Sequence, residues 1–201
     1  MVSGLRPTPA QASPWGAGVI VVIGDSISAG QHLDPPDVPW PVLLTGERTI
    51  NASVPGDTTR HALLRFPRDV QAHEPEVVVI QFGHNDANRW ETDRGLHRVS
   101  PQSFAANLHE MVSRAKHFRA VPYLCTLTPS VKSVQHQLDC KEYDKIVREV
   151  AKRRGVPLID VAEPFTWVDK GYSLADLLVD GLHLSGWGHR LFAETAMRVL
   201  G

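Results

Sequence analysis

VVIGDSISAG, residues 21–30, opens as an apolar run that starts at Val19 and breaks at Gly24-Asp25-Ser26. β-branched residues followed at once by small polar ones read as a buried strand ending in a tight turn. Ser26, two places beyond the glycine, is either a turn residue or a nucleophile held at a strand end. The rest of the chain decides between the two.

Four more runs of the same kind follow, at Thr49–Val54, Val77–Phe82, Val121–Leu127 and Val156–Val161. Most are nearly continuous in Val, Ile and Leu rather than alternating, the pattern of strands covered on both faces. Helical spacing fills the gaps. Phe104, Leu108, Met111, Val112, Ala115 and Phe118 recur at threes and fours. So do Val134, Leu138, Ile146, Val147 and Val150, and later Leu191, Phe192, Thr195, Ala196 and Val199. Ser100, before Pro101, and Ser185, before Gly186, are candidate N-caps. Strand alternating with helix five times predicts an α/β fold, a flavodoxin-like three-layer sandwich with a five-stranded parallel sheet in the order 2-1-3-4-5. Such sheets carry their sites beyond the carboxyl ends of the strands where the order reverses, here between the first and third.

Composition narrows the partners. The 201 residues suit one domain with a full core, and a formal charge of −1 lacks the basic excess of a nucleic-acid binder. Cys125 and Cys140 fall in a strand-like and a helical run, so no disulfide framework is expected. Residues 1–17, rich in Pro, Gly, Ala and Ser, read as a flexible tail, with a single domain over 18–201. No stretch approaches the roughly 18 apolar residues of a membrane span, and no apolar leader precedes the domain. The reading is a cytoplasmic chain, although a trimmed secreted form would carry the same sequence. Nothing here sets an oligomeric state.

The ends of the strands hold four blocks. GDSIS begins at Gly24, PGDTT contains Gly56, GHND contains Asn85, and DGLH runs from Asp180 to His183. Together they resemble the SGNH hydrolases, the GDSL-type esterases and lipases, a family named for its serine, glycine, asparagine and histidine in four separated blocks. Ile27 stands where the family usually has leucine, which keeps the side chain apolar. The resemblance spans residues 19–192.

The chemistry of these residue types agrees. A serine hydroxyl needs an adjacent base to attack at neutral pH, and His183 is the candidate. Asp180, three residues earlier on a turn, is placed to accept from Nδ1 while Nε2 faces Ser26. A tetrahedral intermediate needs fixed donors, for which the N–H groups of Ser26 and Gly56 and the amide of Asn85 are suited. The resemblance implies a triad of Ser26, Asp180 and His183 and an oxyanion hole of Ser26, Gly56 and Asn85, working on a small-molecule ester without metal or cofactor. His84, His189 and Asp25 read as structural.

Two other classes use some of the same residues. Asp25, Asp57, Asp86 and Asp180 all fall near strand ends and suggest a Mg²⁺-dependent phosphohydrolase. GDSISAG on a flavodoxin-like sheet suggests an FMN-binding module. Nothing fixes the four aspartates to one ion, and the FMN module leaves GHND and DGLH unexplained. Within the esterase reading, thioesterase and lysophospholipase activities stay open. Two long loops, 30–41 and 87–99, leave the same strand ends. The second carries Trp90, a substrate-binding candidate, with Arg89, Arg94 and Arg98. A wall of one aromatic and several polar groups predicts short acyl chains, because each buried CH₂ of a long one calls for about 0.8 kcal/mol of apolar lining.

Overall fold

The computed structural model describes residues 18–45, 48–165 and 173–201, so the expected tail over 1–17 lies outside the described residues. Five parallel strands form one sheet in the order β2-β1-β3-β4-β5, as the alternation predicts. They are β1 (Ile20–Gly24), β2 (Thr49–Asn51), β3 (Val77–Gln81), β4 (Val121–Cys125) and β5 (Leu158–Ile159). Around them run α1 (Ser26–Ala29), α2 (Trp40–Thr45), α3 (Thr59–Asp69), α4 (His84–Ala87) and α5 (Pro101–His117). These are followed by α6 (Val134–Arg154), α7 (Ala162–Phe165), α8 (Leu174–Leu177) and α9 (Gly186–Leu200).

Alternation of side chains along the strands builds two cores. Val21, Ile23, Val78 and Ile80 pack against Phe66 of α3, Phe104 and Met111 of α5 and Tyr143 of α6. Ile20, Val22, Val77 and Val79 face the other way, onto Trp40 of α2 and Phe192 of α9, whose rings stack 4.2 Å apart. Each such apolar side chain contributes roughly 1.5–3 kcal/mol when fully buried. Both faces of the central strands are therefore covered. β1 and β3 are in register through Gly24 and Gln81, so their carboxyl ends finish side by side.

Caps set the long helices. Ser100 Oγ accepts from Ser103 N ahead of Pro101, and Ser185 Oγ accepts from Gly188 N. Ser133 Oγ caps α6, which stops at Gly155 in a left-handed conformation.

Several expectations shift. β2 ends at Asn51 rather than Val54, although Ala52 N and Val54 N still donate to Val22 O and Gly24 O of β1. β5 holds only Leu158 and Ile159: Pro157 has no N–H to give, and Val161 N turns back to Ile159 O. In α6 the expected stripe slips. Val134 and Leu138 are exposed, and Asp139, Cys140, Tyr143, Val147 and Val150 face inward. Leu138 lies nine residues, or two and a half turns, before Val147, and so on the opposite side. The inward polar groups have partners: Arg89 forks onto Asp139 at 2.8 and 3.1 Å, and Tyr143 donates to Val99 O. Phe118, expected on the stripe of α5, is its C-cap and is half exposed.

Candidate active site

β1 delivers Ser26 through a turn with no room for a side chain at Gly24. A Cβ on Gly24 would lie 2.8 Å from Ser28 Oγ and 3.0 Å from Gln81 Oε1. Asp25 caps α1, its Oδ1 accepting from Ile27 N at 2.9 Å, which leaves Ser26 as the first helical residue. Ser28 Oγ donates to Gln81 Oε1 at 2.7 Å and accepts from Trp40 Nε1 at 3.1 Å, tying the turn to β3 and α2.

His183 arrives from the other end of the chain. Leu178 and Leu184 form an antiparallel bridge, and Val179 N donates to His183 O, so residues 179–183 make a closed turn. Inside it Asp180 Oδ1 accepts from Leu182 N at 3.0 Å and His183 N at 2.8 Å, while Oδ2 lies 2.8 Å from His183 Nδ1. Burial works to raise the carboxyl, but these hydrogen bonds outweigh it and hold Asp180 well below the usual carboxylate range. An ionised carboxylate only accepts, so Nδ1 carries the proton and Nε2 is left basic. That Nε2 lies 3.0 Å from Ser26 Oγ, across 157 positions of sequence.

Gly56 sits on the loop after β2 with φ of +81°, a left-handed conformation that glycine adopts without strain. A Cβ there would meet nothing within 4 Å, so its backbone borders open space. Asn85, second residue of α4, donates through Nδ2 to Asp57 O at 3.0 Å, which uses one of its two amide N–H groups and joins the second and third blocks. Trp90 is 45% exposed, and its ring lies 4.2 Å from the Arg98 guanidinium rather than in the core.

Arg65 and His32 escaped the sequence reading, as did the backbone bond made by Arg98. Arg65 of α3 reaches Asp57 Oδ2 at 2.6 Å, Ala52 O at 2.5 Å and Gly24 O at 3.3 Å, clamping the ends of β1 and β2 together. Arg98 Nη1 donates to Gly56 O at 3.0 Å. His32, on the proline-rich loop, sets its ring edge-on to His183 with centroids 4.8 Å apart. The length of that loop marked it, but nothing in the sequence marked the histidine.

The four aspartates weighed for Mg²⁺ each answer to a different partner: Ile27 N for Asp25, Arg65 for Asp57, Thr59 for Asp86 and His183 for Asp180. Burial pushes Asp25 up to about 7 and Asp86 to about 6. His189 accepts from Trp40 N through Nδ1 and is pushed by burial down to about 4.

A parallel α/β sheet with a hydroxyl, an imidazole and a carboxylate in line beyond its central strands can carry out nucleophilic acyl transfer. Residues 22–191 match the GDSL-like lipase/acylhydrolase family. The uncharacterized lipoprotein YqeF of Bacillus subtilis is 30% identical over 87% of this chain and 86% of its own. Thioesterase 1/protease 1/lysophospholipase L1 of Escherichia coli is 28% identical over 71% of this chain and 66% of its own. Among solved structures, Axe2, an acetylxylan esterase from Geobacillus stearothermophilus, superposes with a TM-score of 0.76 at 23% identity, covering 92% of this chain and 94% of that one. The chain belongs to the GDSL-like lipase/acylhydrolase family and is a carboxylic ester hydrolase. Among the described residues, no helix is long and apolar enough to cross a membrane.

Proposed function

We propose that the protein hydrolyses short-chain acyl esters through an acyl-enzyme on Ser26. The observation that carries this reading is the unbroken line from Asp180 Oδ2 through His183 to Ser26 Oγ, with links of 2.8 and 3.0 Å. Ser26 Oγ attacks the acyl carbon while His183 Nε2 takes its proton. The imidazolium, steadied by Asp180, then returns that proton to the leaving alcohol. Water, deprotonated by the same nitrogen, releases the acid and restores Ser26. The N–H groups of Ser26 and Gly56 and the second amide N–H of Asn85 are assigned to the oxyanion. Trp90 is assigned to the substrate wall, together with Arg98 beneath it.

Preference for short chains is supported by the polar character of that wall and by the acetyl substrate in the name of the Geobacillus relative. Ser26→Ala should abolish turnover, and a fluorophosphonate should label the native protein once, at Ser26. Acetyl and butyryl nitrophenyl esters should turn over far faster than decanoyl ones. An active Ser26→Ala chain would refute the nucleophile. Faster turnover of long-chain acyl thioesters would favour the thioesterase reading instead.

A further inference from the structure

A second cluster of reactive side chains joins α4 to α6. Cys140 Sγ lies 3.5 Å from Nδ1 of His84 and 3.7 Å from Nε2 of His136. His136 and Cys140, four residues apart on α6, share one helix face. One donor atom from each of the three residues falls within 4.8 Å of the others.

The two sulfur-to-nitrogen distances are close to those of a metal site. Bonds of about 2.3 Å to sulfur and about 2.0–2.1 Å to nitrogen at a tetrahedral angle put the two atoms about 3.5 Å apart. Each histidine also has one ring nitrogen engaged outside the cluster, although both nitrogens of His136 lie 3.7 Å from Cys140 Sγ. His84 Nε2 is 3.1 Å from Thr128 Oγ1, and His136 Nδ1 is 3.0 Å from Ser130 Oγ. A hydroxyl that accepts from that nitrogen leaves the other nitrogen of the ring unprotonated for a metal. Thr128, Ser130 and Cys140 also line a pocket of about 330 Å³, with Leu127, Val131 and Leu174 on its walls. Of the three clustered residues, Cys140 alone is among those lining it.

We propose that His84 Nδ1, His136 Nε2 and Cys140 Sγ form a three-ligand site for a zinc-type divalent ion, beside the pocket that Cys140 also lines. Binding forms a metal–thiolate bond and two metal–imidazole bonds, and the displaced Cys140 proton goes to solvent. The site shares no side chain with Ser26, Asp180 or His183, although His84 directly precedes Asn85 on α4.

Cobalt(II) added to chelator-treated protein tests this. One equivalent should produce a near-ultraviolet thiolate-to-cobalt band and tetrahedral visible bands, both removed by zinc. Cys140→Ser should lose the near-ultraviolet band. His136→Gln, at a half-buried position, should weaken binding about tenfold or more with circular dichroism unchanged. No near-ultraviolet band at stoichiometric cobalt would overturn the proposal. So would an unchanged band in Cys140→Ser, or cobalt binding that survives in that variant and inhibits ester hydrolysis. The last result would move the ion to the cluster of His32, Asp180 and His183.

Discussion

Arg98 Nη1 donates to the carbonyl oxygen of Gly56 at 3.0 Å, with the Trp90 ring 4.2 Å from its guanidinium. Gly56 has no side chain to hold its peptide in place, so a partner 42 residues away restrains it. If the Gly56 N–H serves the oxyanion, Arg98→Gln should lower kcat about tenfold, roughly 1.4 kcal/mol of positioning, and leave KM nearly unchanged. Steady-state kinetics on an acetyl ester reads this. Trp90→Ala should instead change the ratio of acetyl to decanoyl turnover while phosphonate labelling of Ser26 persists.

Asp180 gives a sharper test. Asp180→Asn should cut kcat by on the order of 10³–10⁴, because an amide in its place favours the wrong imidazole tautomer. The sign of the pH effect follows from the lowered carboxyl. Its contribution to stability is present above the ordinary carboxylate range and is lost only as pH falls through the lower folded value. Asp180 thus stays ionised through the working range, and the acid limb of the native rate profile should not arise from it. With its side chain 39% exposed, solvent screening keeps that contribution small.

Asn85→Ala should lower kcat by a hundredfold or more, about 2.7–4 kcal/mol in the transition state, with KM little changed. The measurement also weighs a second loss, since Asn85 Nδ2 holds Asp57 O. Should KM rise while kcat holds, Asn85 would be a binding residue.

Asp25 predicts an opposite dependence on pH. Burial first, opposed by the hydrogen bond from Ile27 N, pushes its carboxyl from 3.8 up to about 7. A raised carboxyl favours the folded state when protonated, so its support is full below the unfolded value and lost as pH rises through about 7. The loss amounts to at most about 4 kcal/mol. Asp25→Asn keeps an acceptor for Ile27 N and never ionises. Its melting temperature should match the native protein near pH 4 and exceed it by several degrees near pH 8.5. Equal melting curves at both pH values would show that Asp25 titrates normally.

Much of this was legible in one dimension, for local reasons. A β-branched run ending in Gly-Asp-Ser specifies a strand and its turn wherever it occurs. Serine ahead of Pro101 and of Gly186 caps a helix through bonds spanning three residues. Asp180 and His183 meet within one turn, so even that contact is local. Five such strands with helices between them leave few sheet orders, and the observed one is the expected order.

What pattern reading could not reach depends on contacts between distant segments. The slip of α6 is one case: its apolar residues alone allowed Val134 and Leu138 inside. The deciding groups were Arg89 on Asp139, His84 on Cys140 and Val99 O on Tyr143, from 44 to 56 positions away. Arg65, His32 and the bond from Arg98 to Gly56 O are further cases, since a charged or aromatic residue in a helix or loop carries no mark of the backbone it will meet. The sequence by itself determined the strands, the caps, the sheet order and the four blocks, because apolar periodicity and turn chemistry act over a few residues. Only the tertiary structure decided that Ser26 and His183 face each other at 3.0 Å and which side of α6 turns inward. Those outcomes follow from satisfying buried polar groups across the whole sheet, a condition that no single segment contains.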